Sequence, residues 1–418
     1  MKYEFPTIRD LDDVLFAIKD SPEFIVVEKD DYIVVNYVVM NESTFPIIGE
    51  KFCPGCSRFE GEINIDGCGS QRCPDNVDVA AIIAAAIRRE CRGLVFDKSG
   101  SLINRRFHKF FNVNERDETR LEAIDWNQPH HILEKLDGSM VSPCLLPSGV
   151  VRWMTKMGIT DVSMEAEVFI ALNKKYQDFA IRAIADGITP IFEWCSNKNR
   201  IVLDFPEDKL ILTAARNNVD GDYTTYDRLC EIAERYDIPV VKAWPFNTIF
   251  IDNMIDVIRK QEDTEGVVVR FHDGHMVKVK SDWYVRIHKI KALLGQERDV
   301  VSMILNNQLD DILPVLPKQD VEKIEQFQNK LLTQLKIMSN NLSSFVYQYR
   351  SNFDRKTFAL EVAPKMKPLW RGLIFQFWDK EYNESLTYKV LVDTILKHCG
   401  SNQSYAKIKN EFLEDIDL

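Results

Sequence analysis

The chain has 418 residues, of which 45% are hydrophobic and 28% are charged. This is the composition of a folded globular protein, and it excludes collagen-like, low-complexity and largely disordered chains. Lys and Arg number 53 against 64 Asp and Glu, so the net charge is −11. A basic nucleic-acid footprint over the whole chain is therefore excluded, and any polyanion must meet a local cluster of cations.

The longest apolar run, residues 79–87, is too short to cross a bilayer. The first ten residues also lack the apolar core of a secretory signal. We therefore expect no membrane partner, a cytoplasmic location and reduced cysteines.

Residues 1–292 are predicted to form an α+β domain with mostly antiparallel sheets. Segments rich in Val, Ile and aromatic residues predict strands. They lie at 24–39, 93–97, 132–134, 140–146, 150–155, 190–194, 209–214, 266–271 and 276–280. Ala-rich or periodic segments predict helices within 77–90, 163–186 and 225–235.

Residues 293–418 are predicted to form an all-α domain. Apolar residues recur there at spacings of three and four, which indicates one buried stripe on a long helix. The stripe comprises Val321, Ile324, Phe327, Leu331, Leu335, Met338, Leu342 and Phe345.

Four cysteines are grouped in the Gly- and Pro-rich segment 45–77. Cys53, Cys56, Cys68 and Cys73 follow the pattern Cys-x2-Cys-x11-Cys-x4-Cys. Four thiolates can enclose one structural Zn²⁺, and metal would help such a segment to fold because it has few large apolar residues. The alternative is an exposed loop with free thiols.

The central signal for chemistry is Glu134-Lys135-Leu136-Asp137-Gly138-Ser139. Taken alone, this segment also fits a solvated lysine beside a hairpin turn. The alternative interpretation is a nucleophilic lysine at a strand end. A neutral amine can attack phosphorus and form a covalent intermediate, which divides one difficult group transfer into two easier steps.

Other short motifs surround this lysine in a distinctive order along the chain. They are Arg92-Gly-Leu-Val-Phe, Lys109-Phe-Phe-Asn, Thr155-Lys156-Met-Gly, Phe192-Glu193-Trp194, Glu265-Gly266-Val-Val-Val-Arg270 and Lys278-Val-Lys280-Ser-Asp-Trp-Tyr284. Their joint occurrence resembles the covalent nucleotidyltransferases, which include DNA ligases, RNA ligases and capping enzymes. Four segments narrow the resemblance to the bacteriophage RNA ligase 1 family, the tRNA-repair type: Lys109-Phe-Phe-Asn, Asn199-Arg200-Ile201-Val202-Leu203, Lys280-Ser-Asp-Trp-Tyr284 and, in the helical tail, Asp354-Arg355-Lys356-Thr357.

The resemblance implies an ATP-grasp-like nucleotidyltransferase domain followed by a helical RNA-specificity module, with 45–77 as an insertion. It implies an ATP-dependent RNA ligase that joins 5′-phosphate and 3′-hydroxyl ends through lysyl-AMP and RNA-adenylate. RNA is the implied partner, as single-stranded ends or a nicked tRNA anticodon loop, and a phage-encoded chain would work in the host cytoplasm. The alternatives are a DNA ligase, a capping enzyme or a non-catalytic RNA-binding relative.

The resemblance also implies roles for individual residues. Lys135 would become Lys-AMP, Lys278 and Lys280 would contact the α-phosphate, and Glu193 would contact the ribose. Arg92, Lys109, Lys156 and Tyr37 would line the ATP site, whereas Glu265 and Asp310 would help to bind Mg²⁺ or Mn²⁺. Each has a structural alternative: surface ion pairs for the glutamates, an edge strand for the lysine pair, the core for Tyr37 and a helix cap for Asp310.

Lysine chemistry explains why such a site needs cations. A free lysine has a pKa of about 10.4, so only about one in a thousand is neutral near pH 7.4. Neighbouring cations and partial burial lower such a pKa. Arg92, Lys278, Lys280 and a divalent metal could supply these charges.

Overall fold

The computed structural model describes residues 4–41, 43–48, 79–245, 251–309, 312–380, 384–414 and 416–418. The chain divides into two compact units, Met1–Val285 and Arg286–Leu418. Cys53, Cys56, Cys68, Cys73 and Asp310 lie outside the described residues. Within the described part, no helix combines the length and apolar character needed to span a bilayer.

Where the structure describes the first unit, its strands form three antiparallel sheets. The first sheet has the order β1-β2-β3-β4, the second β11-β10-β5 and the third β7-β6-β8-β9. The strands are β1 Phe24–Glu28, β2 Ile33–Tyr37, β3 Arg92–Phe96, β4 Leu102–Asn104, β5 His130–Glu134, β6 Ser139–Leu145, β7 Val151–Met154, β8 Ile188–Cys195, β9 Lys209–Asn217, β10 Gly266–Phe271 and β11 Met276–Lys280.

The described residues of the first unit form six α-helices and the start of a seventh. They are α1 Leu11–Ala17, α2 Val79–Glu90, α3 Asp161–Ala171, α4 Lys174–Ala185, α5 Tyr226–Arg235, α6 Ile251–Arg259 and α7 Asp282–Leu294. The predicted helical stretch 163–186 forms two helices, α3 and α4. Thr160 caps the start of α3, where its side-chain oxygen accepts a hydrogen bond from the Ser163 backbone.

Apolar faces place the third sheet against helices. Phe192, Trp194 and Leu212 from the sheet are buried in one core with Phe179 of α4 and Leu229 of α5. Burial of such side chains is the main driving force for this packing. This packing holds β8, and with it the position of Glu193 on that strand.

A buried ion network also holds the first unit together. Glu90, at the end of α2, accepts bonds from the guanidinium of Arg105 at 3.2 Å and from that of Arg216 at 2.6 and 2.8 Å. All three side chains are almost completely buried. Burial acts to raise the pKa of Glu90, but the two arginines outweigh it and hold that pKa below its usual value.

The described part of the second unit is helical. Its helices are α8 Glu297–Leu305, α9 Lys318–Asn352, α10 Arg355–Thr357, α11 Pro368–Phe377, α12 Glu384–His398 and α13 Asn402–Phe412. Six residues of the predicted stripe on α9 are buried: Ile324, Phe327, Leu331, Leu335, Met338 and Leu342. The two ends of the stripe are less buried: Val321 is half-buried and Phe345 is 39% exposed. The predicted α+β fold with a helical C-terminal part is confirmed.

Candidate active site

Lys135 lies immediately after β5, at the turn that connects the second sheet to β6 of the third. Its backbone N–H donates to the carbonyl of Gly266 at 2.9 Å, which extends the β5–β10 pairing. Its Nζ lies 2.9 Å from Oε1 of Glu265, and its side chain is 22% exposed. The amine is thus fixed at a sheet end but still reachable from outside.

Glu265 joins Lys135 to the paired lysines of β11. Its Oε1 also lies 2.9 Å from Nζ of Lys280, so one nearly buried carboxylate bridges two ammonium groups. Gly266 follows in the left-handed region at φ +130°, and a Cβ there would collide with the carbonyl of Val279. Glycine is therefore required by the close approach of β10 and β11.

Strand alternation places Lys278 and Lys280 on the same face of β11, whereas Val277 and Val279 are buried on the other. Burial, together with the charges of Lys109, Lys135 and Arg92, lowers the pKa of Lys278 to about 7. Its Nζ lies 5.7 Å from the ring centroid of Phe110.

Glu193 reaches the same site from β8, where it pairs with Met140 across to β6. Burial raises the pKa of Glu193 to about 7. The Lys135 ammonium acts against this shift, whereas the Glu265 carboxylate adds to it. Glu193 is thus partly protonated near neutral pH and able to donate a hydrogen bond.

A second group of cations surrounds the ring of Tyr37. The Nζ atoms of Lys109 and Lys156 lie 5.5 and 5.2 Å from its centroid, within the range of cation–π contacts. Burial, with smaller contributions from the charges of Arg92 and Lys156, lowers the pKa of Lys109 to about 8 against the opposing charge of Glu115. Burial and the charge of Arg92 likewise lower the pKa of Lys156.

The structure therefore brings together every predicted site residue that it describes. They are Tyr37, Arg92, Lys109, Lys135, Lys156, Glu193, Glu265, Lys278 and Lys280. Six of the nine are cationic and only two are carboxylates, an imbalance that suits a polyanionic ligand.

Sequence reasoning missed the part played by Asp137, because Asp-Gly was interpreted only as a turn. The buried carboxylate accepts hydrogen bonds from the backbone N–H groups of Val202 and Leu203 at 2.8 and 2.6 Å and from the Tyr284 hydroxyl at 2.6 Å. These partners lie more than 60 residues away in sequence, so no local pattern indicated them. Gly138 is similarly constrained, since a Cβ there would lie 2.5 Å from the carbonyl oxygen of Trp194.

Two family models match the chain in succession. An RNA ligase model matches residues 90–284, and a model of the T4 RNA ligase 1 C-terminal domain matches residues 291–409. The two ranges together span well over half of the chain. Every site residue named above except Tyr37 falls within the first range.

Individual relatives carry RNA ligase names. A Thermovibrio ammonificans protein that bears such a name is 28% identical over 336 residues, covering 78% of this chain and 83% of that protein. RNA ligase 1 of bacteriophage TS2126 is 25% identical over 237 residues, covering 54% of this chain and 58% of the phage protein.

Solved structures show only a weak overall similarity. An archaeal ATP-dependent RNA ligase has a TM-score of 0.37 and 14% identity, covering 76% of this chain and 69% of that chain. A Naegleria gruberi RNA ligase solved with ATP and Mn has a TM-score of 0.32 and 14% identity, covering 39% and 52%.

The family models and the named relatives agree with one another and with the motif order. They support an RNA ligase and give no support to a DNA ligase, a capping enzyme or a non-catalytic relative. The chain is an RNA ligase and belongs to the family of T4 RNA ligase 1.

Proposed function

We propose that this RNA ligase uses ATP to join RNA 5′-phosphate and 3′-hydroxyl ends through lysyl-AMP on Lys135 and an RNA-adenylate. The observation that carries the proposal is the position of the Lys135 amine, 2.9 Å from Glu265 and among the cations of Lys278, Lys280, Arg92 and Lys109.

The first step is attack by the neutral Lys135 amine on the α-phosphorus of ATP. A P–N bond forms, the bond to the β-phosphate oxygen breaks, and pyrophosphate leaves. Lys278 and Lys280 stabilise the negative charge that builds on the α-phosphate oxygens. Lys109, Lys156 and Arg92 hold the remaining phosphates, and Glu193 donates or accepts a hydrogen bond at the ribose.

The two later steps use the same pocket. An RNA 5′-phosphate oxygen displaces Lys135 from AMP, and the 3′-hydroxyl of a second end then attacks the activated 5′-phosphate and releases AMP. Splitting the reaction in this way keeps the energy of ATP in a covalent bond until both RNA ends are present.

The carboxylates of the site fit a divalent cation that is bound partly by the protein and partly by the triphosphate of ATP. Carboxylate oxygens are preferred ligands of Mg²⁺, which usually takes one or two of them together with substrate phosphates. Glu265 supplies such oxygens beside Lys135, and the described residues include no group of three or more His, Cys, Asp or Glu side chains poised for a metal. Mg²⁺ or Mn²⁺ would neutralise charge on the triphosphate, and Asp310 is a further candidate ligand.

The helical part, residues 293–418, is proposed as the RNA-specificity module. The match to the T4 RNA ligase 1 C-terminal domain and the Asp354-Arg355-Lys356-Thr357 segment support this role. A nicked tRNA anticodon loop is the proposed natural substrate, in the cytoplasm. Sealing of a nicked anticodon stem-loop should exceed sealing of a linear strand of equal length, and removal of this preference by changes in 293–418 would locate the specificity there.

Structural zinc on Cys53, Cys56, Cys68 and Cys73 remains a proposal that rests on the spacing of these cysteines. Purified protein should contain about one zinc per chain, as expected for a four-thiolate site. Metal-free protein of unchanged stability, with four thiols in this segment that react freely, would remove the proposal.

Covalent labelling tests the proposed function directly. Incubation with α-labelled ATP and Mg²⁺ should give a protein adduct that survives denaturation and is reversed by pyrophosphate. Lys135→Ala should abolish it, whereas Lys174→Ala, on the exposed surface of α4, should leave it unchanged. Preferential labelling by GTP, or an undiminished adduct in Lys135→Ala, would contradict the proposal.

A further inference from the structure

The ammonium group of Lys109 lies over three aromatic rings. Its Nζ is 4.9 Å from the ring centroid of Phe111, 5.5 Å from that of Tyr37 and 5.7 Å from that of Phe45. All three distances fall within the range at which a cation is attracted to the electron-rich face of an aromatic ring. We call these three rings the aromatic cage of Lys109.

The aromatic cage takes the place of a counter-ion. Lys109 is only 7% exposed, yet within the described part of the chain its ammonium forms no ion pair and no hydrogen bond. The carboxylate of Glu115 acts on it from a distance and accepts a hydrogen bond from the backbone N–H of Asn112 at 2.7 Å. A buried charge is costly without compensation. The rings supply part of that compensation and leave the N–H donors of Lys109 available for phosphate oxygens.

The ring of Phe45 is held in the cage by other aromatic rings. Phe45 is 1% exposed. Its ring meets that of Tyr37 edge to face, with 5.1 Å between the centroids, and those of Phe24 and Phe111 at 5.8 and 6.1 Å. Edge-to-face contacts are a favourable arrangement of such rings. Phe45 therefore packs directly against the other two rings of the cage.

The backbone beside this ring is held by two guanidinium groups. Arg116 donates to the carbonyl of Phe45, and Arg89 donates to the carbonyl of Pro46 at 3.0 Å. Phe45 is also the first residue of segment 45–77, and both family models begin later in the chain. Its place in the cage is thus shown by its contacts and is not implied by the family resemblance.

We propose that Phe45 is a positioning residue of the ATP site, which completes the aromatic cage and keeps the Lys109 side chain charged and in place for the triphosphate. The inference rests on the proposed function, in which Lys109 holds phosphates of ATP. Phe45 itself touches no reacting atom and acts only through Lys109.

The charges around Lys109 show why the cage is needed. Four of the groups that face it are cations and one is a carboxylate: Arg92 of β3, Lys156 after β7, Lys278 of β11, and Arg116 and Glu115 of its own segment. Like charges and burial both favour the neutral amine of a lysine. The rings act in the opposite direction, because only the charged form is attracted to their faces. Weakening of the cage should therefore lower the pKa of Lys109 and its affinity for phosphate.

Graded fluorination of Phe45 tests the cage with little change in shape. Phenylalanines that carry one, two or three ring fluorines attract a cation progressively less, because fluorine withdraws electrons from the ring face. Incorporated at position 45, they should raise the KM for ATP in lysyl-AMP formation step by step, to about three- to tenfold with three fluorines. The maximal rate should change less, since the cage serves binding of ATP.

The effect should also depend on pH in a defined direction. The KM ratio between the fluorinated and the unmodified protein should be largest at and above pH 8, the pKa of Lys109. It should fade as the pH falls toward about 6, where the ammonium is charged with or without the full cage. A loss of packing alone would raise KM equally at all pH values.

A titration without ATP provides an independent measurement. In protein labelled with ¹³C-lysine, the Lys109 signal is identified by its absence from Lys109→Met, and its pKa is followed by NMR. Each added fluorine at position 45, and Phe45→Leu, should lower this pKa.

Phe24 offers matched controls for the packing of the ring. It packs against Phe45, and no described cation lies over its own ring. Phe24→Leu, and a three-fluorine phenylalanine at position 24, should leave both the KM for ATP and the pKa of Lys109 unchanged.

Two results would overturn the inference. An unchanged KM and an unchanged Lys109 titration throughout the fluorine series would show that Phe45 does not stabilise the ammonium. Equal effects of fluorine at positions 24 and 45 would indicate a general packing role. Absence of lysyl-AMP from the wild-type protein would instead contradict the proposed function, and the titration would still decide whether Phe45 stabilises the charge of Lys109.

Discussion

Two buried charged regions of the first unit are built in opposite ways. In the network of Glu90, Arg105 and Arg216, each charge faces one of opposite sign within 3.2 Å. In the site around Lys135, cations outnumber carboxylates, and burial together with mutual repulsion lowers the pKa values of Lys278 and Lys109. The first arrangement supports the fold, whereas the second costs stability until an anion binds. Direct pairing of every buried charge thus distinguishes the structural network from the binding site.

The largest change in the free energy of unfolding is expected when one partner is removed from the network of Glu90, Arg105 and Arg216. Glu90→Gln leaves two buried guanidinium groups facing a neutral amide, and removal of one partner from a buried ion pair typically costs about 3–5 kcal/mol. Chemical denaturation should show a loss of this size. Glu28→Gln is the matched control, since its pair with Lys98 is exposed and should contribute less than about 1 kcal/mol. Equal losses of stability in Glu90→Gln and Glu28→Gln would show that the buried network contributes no more than an exposed ion pair.

In the site around Lys135, removal of a charge is expected to raise the free energy of unfolding instead of lowering it. The pKa of Lys278 is about 7 in the folded chain against 10.5 ordinarily. Between these pH values the unfolded chain keeps a proton that the folded chain releases, so stability falls as the pH is lowered through this window. Lys278→Met should therefore raise the free energy of unfolding at pH 7.5 by about 1–2 kcal/mol, a gain that shrinks toward pH 10.

The same variant should lose lysyl-AMP formation, because the neutral thioether cannot stabilise the α-phosphate. Stability is measured by denaturant titration and the adduct by labelling with α-labelled ATP. Lys174→Met serves as the control and should change neither quantity. If Lys278→Met were less stable than the wild type, the lysine would be stabilising the fold without a bound anion, which would contradict the comparison of the two charged regions.

The smallest effect is expected at Glu193, whose pKa is about 7 against 4.5 ordinarily. Above pH 4.5 the unfolded chain loses a proton that the folded chain retains, so this residue makes stability fall as the pH rises toward 7. Glu193→Gln should match the wild type at pH 4.5 and exceed it by about 1 kcal/mol at pH 8. Thermal denaturation across this range would reveal the slope, and a constant difference would contradict the assignment.

Local patterns were sufficient to predict much of the site. Alternation along β11 placed Lys278 and Lys280 together, and the short motifs around Glu193 and Glu265 identified two carboxylates that meet beside Lys135. Tyr37 lies in a degenerate segment, so only its contacts with Lys109 and Lys156 distinguish it from a core tyrosine.

Long-range pairing could not be predicted in this way. The ion pair of Glu90 with Arg216 joins residues 126 positions apart, and the bond of Tyr284 to Asp137 joins residues 147 apart. Neither has a spacing that hydrophobic periodicity or turn chemistry could indicate, because both depend on how separate sheets pack. Phe345 follows Leu342 at a spacing of three, but the buried face of α9 continues through Val346 at a spacing of four, so Phe345 is 39% exposed.

The close backbone contacts at Gly138 and Gly266 affect how these glycines should be interpreted in homologous proteins. Both positions exclude a side chain because of neighbouring backbone, not because of the nucleotide. A homologue that had given up catalysis would be free to replace Lys135 and Glu265, but it would still need both glycines to keep its sheets in place. Retention of Asp-Gly and of the glycine that begins β10 therefore indicates only that the fold is kept. Retention of the amine and the carboxylate beside them is what indicates an active enzyme.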